Sequence, residues 1–394
     1  MKILLINNYS HKKGGVESVF YNTIKLLKER GNQVISFAIK TNQLESFDVN
    51  YSINKPKSSF QKFFFKESRK VLQEILIKEK PEIAHIHNII GGISPSILPI
   101  LKKFKIPIVA SIHDLRLLCP TWVMINGKGK ICEKCKTGRY FQCLLNKCHP
   151  SGYLKSLVVA VESYLRDLFY HHRDYYDGYI FNSQFSMNKF LEFYPTLISK
   201  KLYVIYNFID HYSEKIYRGN YFFYFGRLDR EKGVKTLIEA FKQIPEFKLK
   251  IAGKGEYESF LGLNESSNIE YVGFKKGKEL IKLIEGSSFV IIPSECYETL
   301  SMAGIESLSL SKPIITTQLG GLNEVCIDGF NGFKFIAKNV ESLINVVKKA
   351  ASLSEEEYYI FSRNAYHYAR ENFNPEKHYN NLMKAYKEII ENRH

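Results

Sequence analysis

The residues best suited to chemistry lie between 293 and 306. Here Pro293, Ser294, Glu295, Cys296, Tyr297 and Glu298 lead through Thr299, Leu300 and Ser301 to Glu306. The apolar run 289–293 reads as a buried strand, and the pattern after it predicts a helix over 299–308. A helix starting there leaves the amides of Thr299, Leu300 and Ser301 without intrahelical partners. With the helix dipole they would make a site for an anion such as a diphosphate. Glu298 and Glu306 frame that helix. Eight residues at ~1.5 Å each separate them by about 12 Å. Paired carboxylates of glycoside hydrolysis stand closer, ~5–5.5 Å or ~6.5–9.5 Å apart. The two glutamates are therefore expected to touch different parts of one long ligand. A capping Glu298 and a solvated Glu306 fit the same spacing.

Other groups cluster in the first half. Gly14 and Gly15 follow the first apolar strand and precede a helix, a phosphate-type turn that lacks the full GxGxxG. His113 and Asp114 close the apolar run 106–112, at the strand end where α/β folds bind ligands. A plain hydrogen bond between His113 and Asp114 is the competing reading. His85 and His87 alternate with Ala84 and Ile86, facing either a ligand pocket or the core. Five of the seven cysteines fall within 119–148: Cys119, Cys132, Cys135, Cys143 and Cys148. The CxxC of Cys132 and Cys135 with Cys119 and Cys148 has a zinc-ligand pattern, which makes a structural zinc one expectation. Free thiols, a disulfide and a metal cluster stay open beside it. Gly127, Gly129 and Gly138 mark this stretch as an insertion after the His113 strand.

Strand-like and helix-like segments alternate along all 394 residues, which predicts an α/β fold of parallel sheets in two domains. Expected strands are 2–8, 33–40, 82–87, 106–113, 179–182 and 202–206, then 221–227, 249–252, 269–272, 289–293 and 313–317. Helices are expected at 16–30, ended by Gly31, at 60–78, 234–243, 280–285 and 299–308. The polar stretch 207–220 reads as a linker between domains 1–207 and 208–374. The last helix, after Pro375, is expected to return to the first domain.

The net charge of +16 is uneven. Residues 1–210 hold 31 Lys and Arg against 16 Asp and Glu, whereas 211–394 hold 25 against 24. A one-sided basic field favours polyanions, and no nucleic-acid-binding signature accompanies it. Between 55 and 70, Phe60, Phe63, Phe64 and Phe65 interleave with Lys57, Lys62, Lys66 and Arg69. Such a segment suits either an anionic membrane surface or the core. No apolar run reaches the ~20 residues that cross a bilayer, and the start lacks a signal-peptide pattern. A cytoplasmic protein, peripheral at the inner face of the cell membrane, is expected.

Taken together, the motifs resemble those of family 4 retaining glycosyltransferases of the GT-B fold, of the bacterial surface-polysaccharide type. Glu298 and Glu306 match its Glu–seven residues–Glu pattern. Phe225, Gly226, Arg227 and Leu228, followed by Glu231, Lys232 and Gly233, resemble a strand-end motif of the family. Gly320 to Glu324 and Asp328 to Gly332 resemble its glycine turns, Gly14 to Glu17 its N-terminal glycine loop, and Ile205 to Asn207 its domain junction. The resemblance implies two Rossmann-like domains facing a cleft, with acceptor bound by the first and donor nucleotide by the second. It implies that Arg227 and Lys232 bind the donor diphosphate, Glu306 the ribose and Glu298 the donor sugar. It further implies that Gly320 and Gly321 admit the donor to the backbone and that His113 touches the reacting sugar. The implied reaction transfers a sugar from a nucleotide-sugar to a glycan or polyprenyl-diphosphate-linked acceptor in capsule, O-antigen or exopolysaccharide assembly. Attack on the front face would retain the anomeric configuration, with no metal required; no DxD-type sequence is placed to hold one. A nucleotide-sugar epimerase, a silent sugar-nucleotide-binding protein and a basic nucleic-acid-binding protein are the alternatives.

Overall fold

Continuous aliphatic runs, buried on both faces, form the parallel strands of this protein. The computed structural model describes residues 1–11, 14–40, 49–170, 172–263 and 266–391, with the side chains of 59, 60, 172, 262 and 263 outside the description. The chain divides into two compact units, one comprising Met1–Ile205 with the residues from Glu376 onward, the other Tyr206–Pro375.

The first unit contains strands β1 (Lys2–Tyr9), β2 (Gln33–Ile39), β3 (Tyr51–Ile53), β4 (Ile83–Asn88), β5 (Ile108–Ile112), β6 (Gly178–Phe181) and β7 (Lys201–Val204). Their order in the sheet is β3-β2-β1-β4-β5-β6-β7, all parallel. The order reverses between β1 and β4, so the connections leave a crevice at the C-terminal ends of these two strands. Ile3 and Leu5 pack with Phe20, Ile24 and Leu27 of the helix Gly15–Glu29, and with Leu382, Tyr386 and Ile389 of the helix Pro375–Glu391. Gly31 adopts φ +78° and its amide bonds to Lys28, ending the first helix where the sequence predicts.

The second unit contains β8 (Phe222–Arg227), β9 (Leu249–Lys254), β10 (Ile269–Tyr271), β11 (Val290–Ile292), β12 (Ile314–Thr317) and β13 (Gly332–Phe335). The order β10-β9-β8-β11-β12-β13 is again all parallel, with its reversal between β8 and β11. Both units are thus doubly wound α/β sheets.

Several local expectations change. Short β3 and β13 escape sequence reading: three or four residues show no period, and β13 starts at Gly332, the last residue of what reads as a glycine turn. The helix expected over 60–78 breaks into Ser59–Phe63 and Lys66–Glu79, because Phe65 turns into the core in extended conformation. Its aromatics face inward rather than outward: Phe65 is buried, Phe63 and Phe64 half-buried, and Arg69 lies over the Phe64 ring. The Phe60 side chain lies outside the described residues. The stretch 207–220 lacks regular structure but is pinned to the second unit, with amides of Ile209 and Ser213 bonded to Phe373 and Ser309. The helix expected from Thr299 starts at Met302. Pro375 stops no helix from within; Glu355–Asn372 ends before it, and Pro375 opens the next.

Candidate active site

The switch point of the six-stranded sheet gathers charge. Arg227 ends β8, and the loop that follows carries Lys232 on one 3₁₀ turn. The next strand across the reversal, β11, runs out into Pro293–Glu298. Lys232 Nζ donates to Glu298 Oε1 at 2.6 Å, and Ser294 Oγ donates to the same oxygen at 2.6 Å. Burial disfavours both charges, yet the pair prevails: Glu298 keeps Lys232 above the ordinary lysine pKa, and Lys232 with Ser294 holds Glu298 below the ordinary carboxyl value. Arg227 is more exposed and pairs with Asp229 and, at 2.8 Å, with Glu231.

Backbone geometry fixes this loop. Gly233 sits at φ +71°, and a Cβ there would overlap the carbonyl oxygen of Pro293. Only glycine lets the Lys232 turn approach the end of β11 so closely. Gly321 has the same role on the other side, since its Cβ would overlap the Thr299 carbonyl oxygen. Its amide donates to the Glu298 carbonyl at 2.7 Å, and Glu298 bridges Gly320 in parallel fashion. Thr236 Oγ1 holds Glu295 at 2.6 Å. Glu298 is therefore a rigidly mounted loop residue, and neither a helix cap nor a helical partner of Glu306.

The start of the helix Met302–Ser309 corrects the expected anion site. Ser301 is the N-cap, and its side chain accepts from the Gly304 amide. Thr299, Leu300 and Ser301 precede the helix rather than forming its first turn, and the intervening loop voids the 12 Å axial spacing. Competition from Ser301 decides the boundary, because a serine side chain in cap position satisfies a donor that a longer helix would leave bare. Glu306 lies within this helix, half-buried and without an ion pair among the described residues. Burial pushes its pKa up to about 7.

In the first unit, a cavity of about 50 Å³ opens at the ends of β4 and β5. Its walls include Val16, His87, Asn88, His113, Asp114 and Arg116. Gly14 caps the helix whose first turn supplies Val16. His113 Nε2 lies 2.9 Å from His87 Nδ1, with the rings stacked 5.0 Å apart. His87 Nε2 is buried and has no hydrogen-bond partner among the described residues. His85 bonds at both nitrogens, to Tyr386 Oη at 2.6 Å and Ser111 Oγ at 2.7 Å. So His85 is structural, while His87 and His113 line the cavity together. Burial lowers the pKa of His113 to about 4 and those of His85 and His87 well below the usual value, so all three are neutral near pH 7.

These lowered values have a stability consequence. The native unit binds fewer protons than the unfolded chain between about pH 6.5 and 4, so stability is lost as pH falls through that window. His113 alone should remove about 1.5 kcal/mol between roughly pH 6.5 and 5. Melting followed by circular dichroism should give a lower midpoint at about pH 5 than at about pH 7. Equal midpoints would contradict the neutral histidine array.

Two matches to known families now divide the chain. Residues 209–368 match Glycosyl transferases group 1, and residues 13–212 match Glycosyltransferase Family 4. The chain belongs to Glycosyltransferase Family 4. An uncharacterised glycosyltransferase of Methanocaldococcus jannaschii is 36% identical over 142 residues, 34% of this chain and 39% of that protein. A capsular polysaccharide biosynthesis glycosyltransferase, CapM, of Staphylococcus aureus is 29% identical over 139 residues, 31% of this chain and 36% of that protein. The matches thus span well under half the length of either relative. The solved structure of Anabaena HepE in complex with UDP superposes with a TM-score of 0.68 at 18% identity, covering 98% of this chain and 100% of that one. The two doubly wound units are those of the GT-B fold.

Within this family 4 glycosyltransferase, sequence reading overlooked Arg116 and Asn88 in the cavity wall. Arg116 stands three residues beyond His113, 3.7 Å from Asp114 and over the Trp122 ring; strand-end position was the only available signal. The four cysteines expected as zinc ligands are free thiols in the insertion, as is Cys143. Cys132 and Cys148 hydrogen-bond each other, while burial and neighbouring thiols push the pKa of Cys135 upward and that of Cys148 to about 12. Cys119, Cys132, Cys135 and Cys148 are mutual neighbours, and among the described residues no three Cys, His, Asp or Glu are arranged to hold a metal ion. Cys135, Cys143 and Cys148 instead pack with Tyr140 and Ala160 in a small core.

Proposed function

We propose that this glycosyltransferase is a retaining enzyme. It moves a sugar from a nucleotide-sugar to a glycan or polyprenyl-diphosphate-linked acceptor at the inner face of the membrane, in bacterial surface-polysaccharide assembly. The observation that carries the reading is the Lys232–Glu298 pair, mounted on glycine-tight loops at the switch point of the second unit. A leaving diphosphate gains negative charge, and fixed cations at that point stabilise it without reorganisation. Lys232 and Arg227 supply those cations, so no metal is needed. Glu298 holds Lys232 and accepts from donor-sugar hydroxyls, while Glu306 accepts from the ribose. Within the first unit, Gly14 and Gly15 offer a phosphate-type turn at a helix start, and neutral His113 offers a sugar contact. The acceptor hydroxyl attacks on the face that the diphosphate leaves, which retains the anomeric configuration. UDP in HepE and the capsular role of CapM support a nucleotide donor and a glycan product.

A thermal-shift panel of UDP-, GDP-, ADP- and TDP-sugars tests this directly. At roughly a hundredfold excess over Kd, one nucleotide class should add about 2.7 kcal/mol of stability. A flat response to all four removes the donor assignment.

A further inference from the structure

The helix Tyr153–Tyr170 is inside out. Its buried residues are Ser156, Ala160, Ser163, Arg166 and Tyr170, whereas Leu154, Val158, Val161, Leu165, Leu168 and Phe169 face solvent. Leu154 is 75% exposed, Leu168 64% and Phe169 62%. At ~100° per residue these six side chains share a continuous arc of roughly 100°. A water-soluble surface helix does the opposite, so a contiguous apolar face of this kind marks a docking site.

The helix is well supported in this orientation. Ala160 packs into the small core of Cys135, Cys143 and Cys148, and the Phe141 amide donates to Tyr164 Oη at 3.1 Å. At the other end Phe169 meets Phe63 edge to face at 5.7 Å, and Tyr170 Oη donates to the Phe63 carbonyl at 3.1 Å. The cysteine-rich insertion and the aromatic segment near residue 63 thus brace the helix that carries the apolar face.

Charge identifies the occupant. Residues 119–170 hold eight Lys and Arg against three Asp and Glu, and Lys128, Lys130, Lys134, Arg139, Lys147 and Lys155 are all exposed. Two copies meeting through this face would bring like charges together, which opposes self-association. A basic surround beside a Leu-, Val- and Phe-rich helix face instead complements anionic lipid headgroups over acyl chains. Among the described residues no helix is long and apolar enough to cross a membrane, so the helix would lie in the interface plane.

We infer that the solvent-facing side of the Tyr153–Tyr170 helix docks the protein on an anionic bilayer. The inference rests on the proposed lipid-linked acceptor and locates the surface that brings the enzyme to it. The test is flotation with vesicles of phosphatidylglycerol and phosphatidylethanolamine, against pure phosphatidylcholine. Wild type should float with the anionic vesicles and be released by about 0.5 M NaCl, where the Debye length falls to roughly 4 Å. The triple variant Leu154→Glu, Val158→Glu, Leu168→Glu should lose at least about tenfold of the bound fraction. It should keep the nucleotide-sugar thermal shift, because Leu154, Val158 and Leu168 are exposed and none of them is assigned to the donor. If wild type and variant float alike, the inference fails, because this face is then not the docking surface. If wild type does not float while the nucleotide shift persists, the inference fails and the donor assignment survives. Equal binding to phosphatidylcholine overturns the anionic preference. A variant that converts a dimer to a monomer in sedimentation would overturn the inference in favour of a copy interface.

Discussion

Replacing Lys232 with Met is expected to lower transfer by about 10²–10³-fold and to destabilise the protein by roughly 2–4 kcal/mol. Both effects have one origin. Lys232 donates at 2.6 Å to Glu298, whose other close partner is the uncharged Ser294 hydroxyl. Removing the ammonium strands a part-buried carboxylate, and the uncompensated charge costs more than the pair contributes. The stability loss should be largest above the ordinary carboxyl pKa. Glu298 is held below that value in the native state, so the stabilisation it provides is present at neutral pH and disappears as pH falls through its native pKa. The double variant Lys232→Met, Glu298→Gln separates the two effects. It should recover most of the lost stability, because neither charge remains, and none of the activity. Chemical denaturation and steady-state transfer kinetics measure the two. A single variant retaining kcat/KM within about threefold of wild type would remove Lys232 from the leaving-group site.

Glu306→Gln is expected to move stability and binding in opposite directions. Burial without a cationic partner raises this carboxyl to about 7 in the native state. The native protein therefore binds more protons than the unfolded chain between about pH 4.5 and 7, and stability falls as pH rises through that window. Glutamine carries no charge to bury, so the variant should be about 1–3 kcal/mol more stable than wild type at roughly pH 8. The difference should vanish near the ordinary carboxyl pKa. Donor affinity should drop at least about tenfold, since an ionised carboxylate accepts from hydroxyls more strongly than an amide oxygen. A residue kept at a cost to stability, and relieved by an isosteric amide, is the signature of a binding group rather than a scaffold group. Urea titrations at about pH 5 and 8, with calorimetric titration of the donor nucleotide, check the prediction. A variant less stable at the higher pH, with unchanged donor affinity, would sink the ribose role.

The two effects differ because the two glutamates differ in surroundings, not in kind. Glu298 sits on a loop facing the β8 end, beside a lysine and an arginine. Glu306 sits on the next helix without a cationic partner among the described residues. Their eight-residue spacing is the same in any conformation, so the sequence pattern carried no hint of this asymmetry.

Much of the fold was legible from periodicity and punctuation alone. Aliphatic runs buried on both sides, such as Ile3–Ile6 on β1 and Val290, Ile291 and Ile292 on β11, leave little alternative to central parallel strands. Gly31 and Pro375 marked real helix boundaries because their backbone restrictions are local. What local chemistry could not supply was competition between neighbours. Ser301 outcompeted Thr299 as the helix start, Phe65 broke a helix by entering the core, and the short run after the Asp328–Gly332 turn became β13 because β12 was there to pair with. The exposed face of the Tyr153–Tyr170 helix was hidden for the same reason. An apolar helix stripe reads as core in sequence, and only the packed structure reveals that its serines and alanine face inward. The residue types and their order along the chain determined the doubly wound sheets and nominated the charged groups at the strand ends. Tertiary packing decided which charges pair, which stay alone and which apolar surface remains open, since those depend on atoms distant in sequence that meet only when the chain is folded.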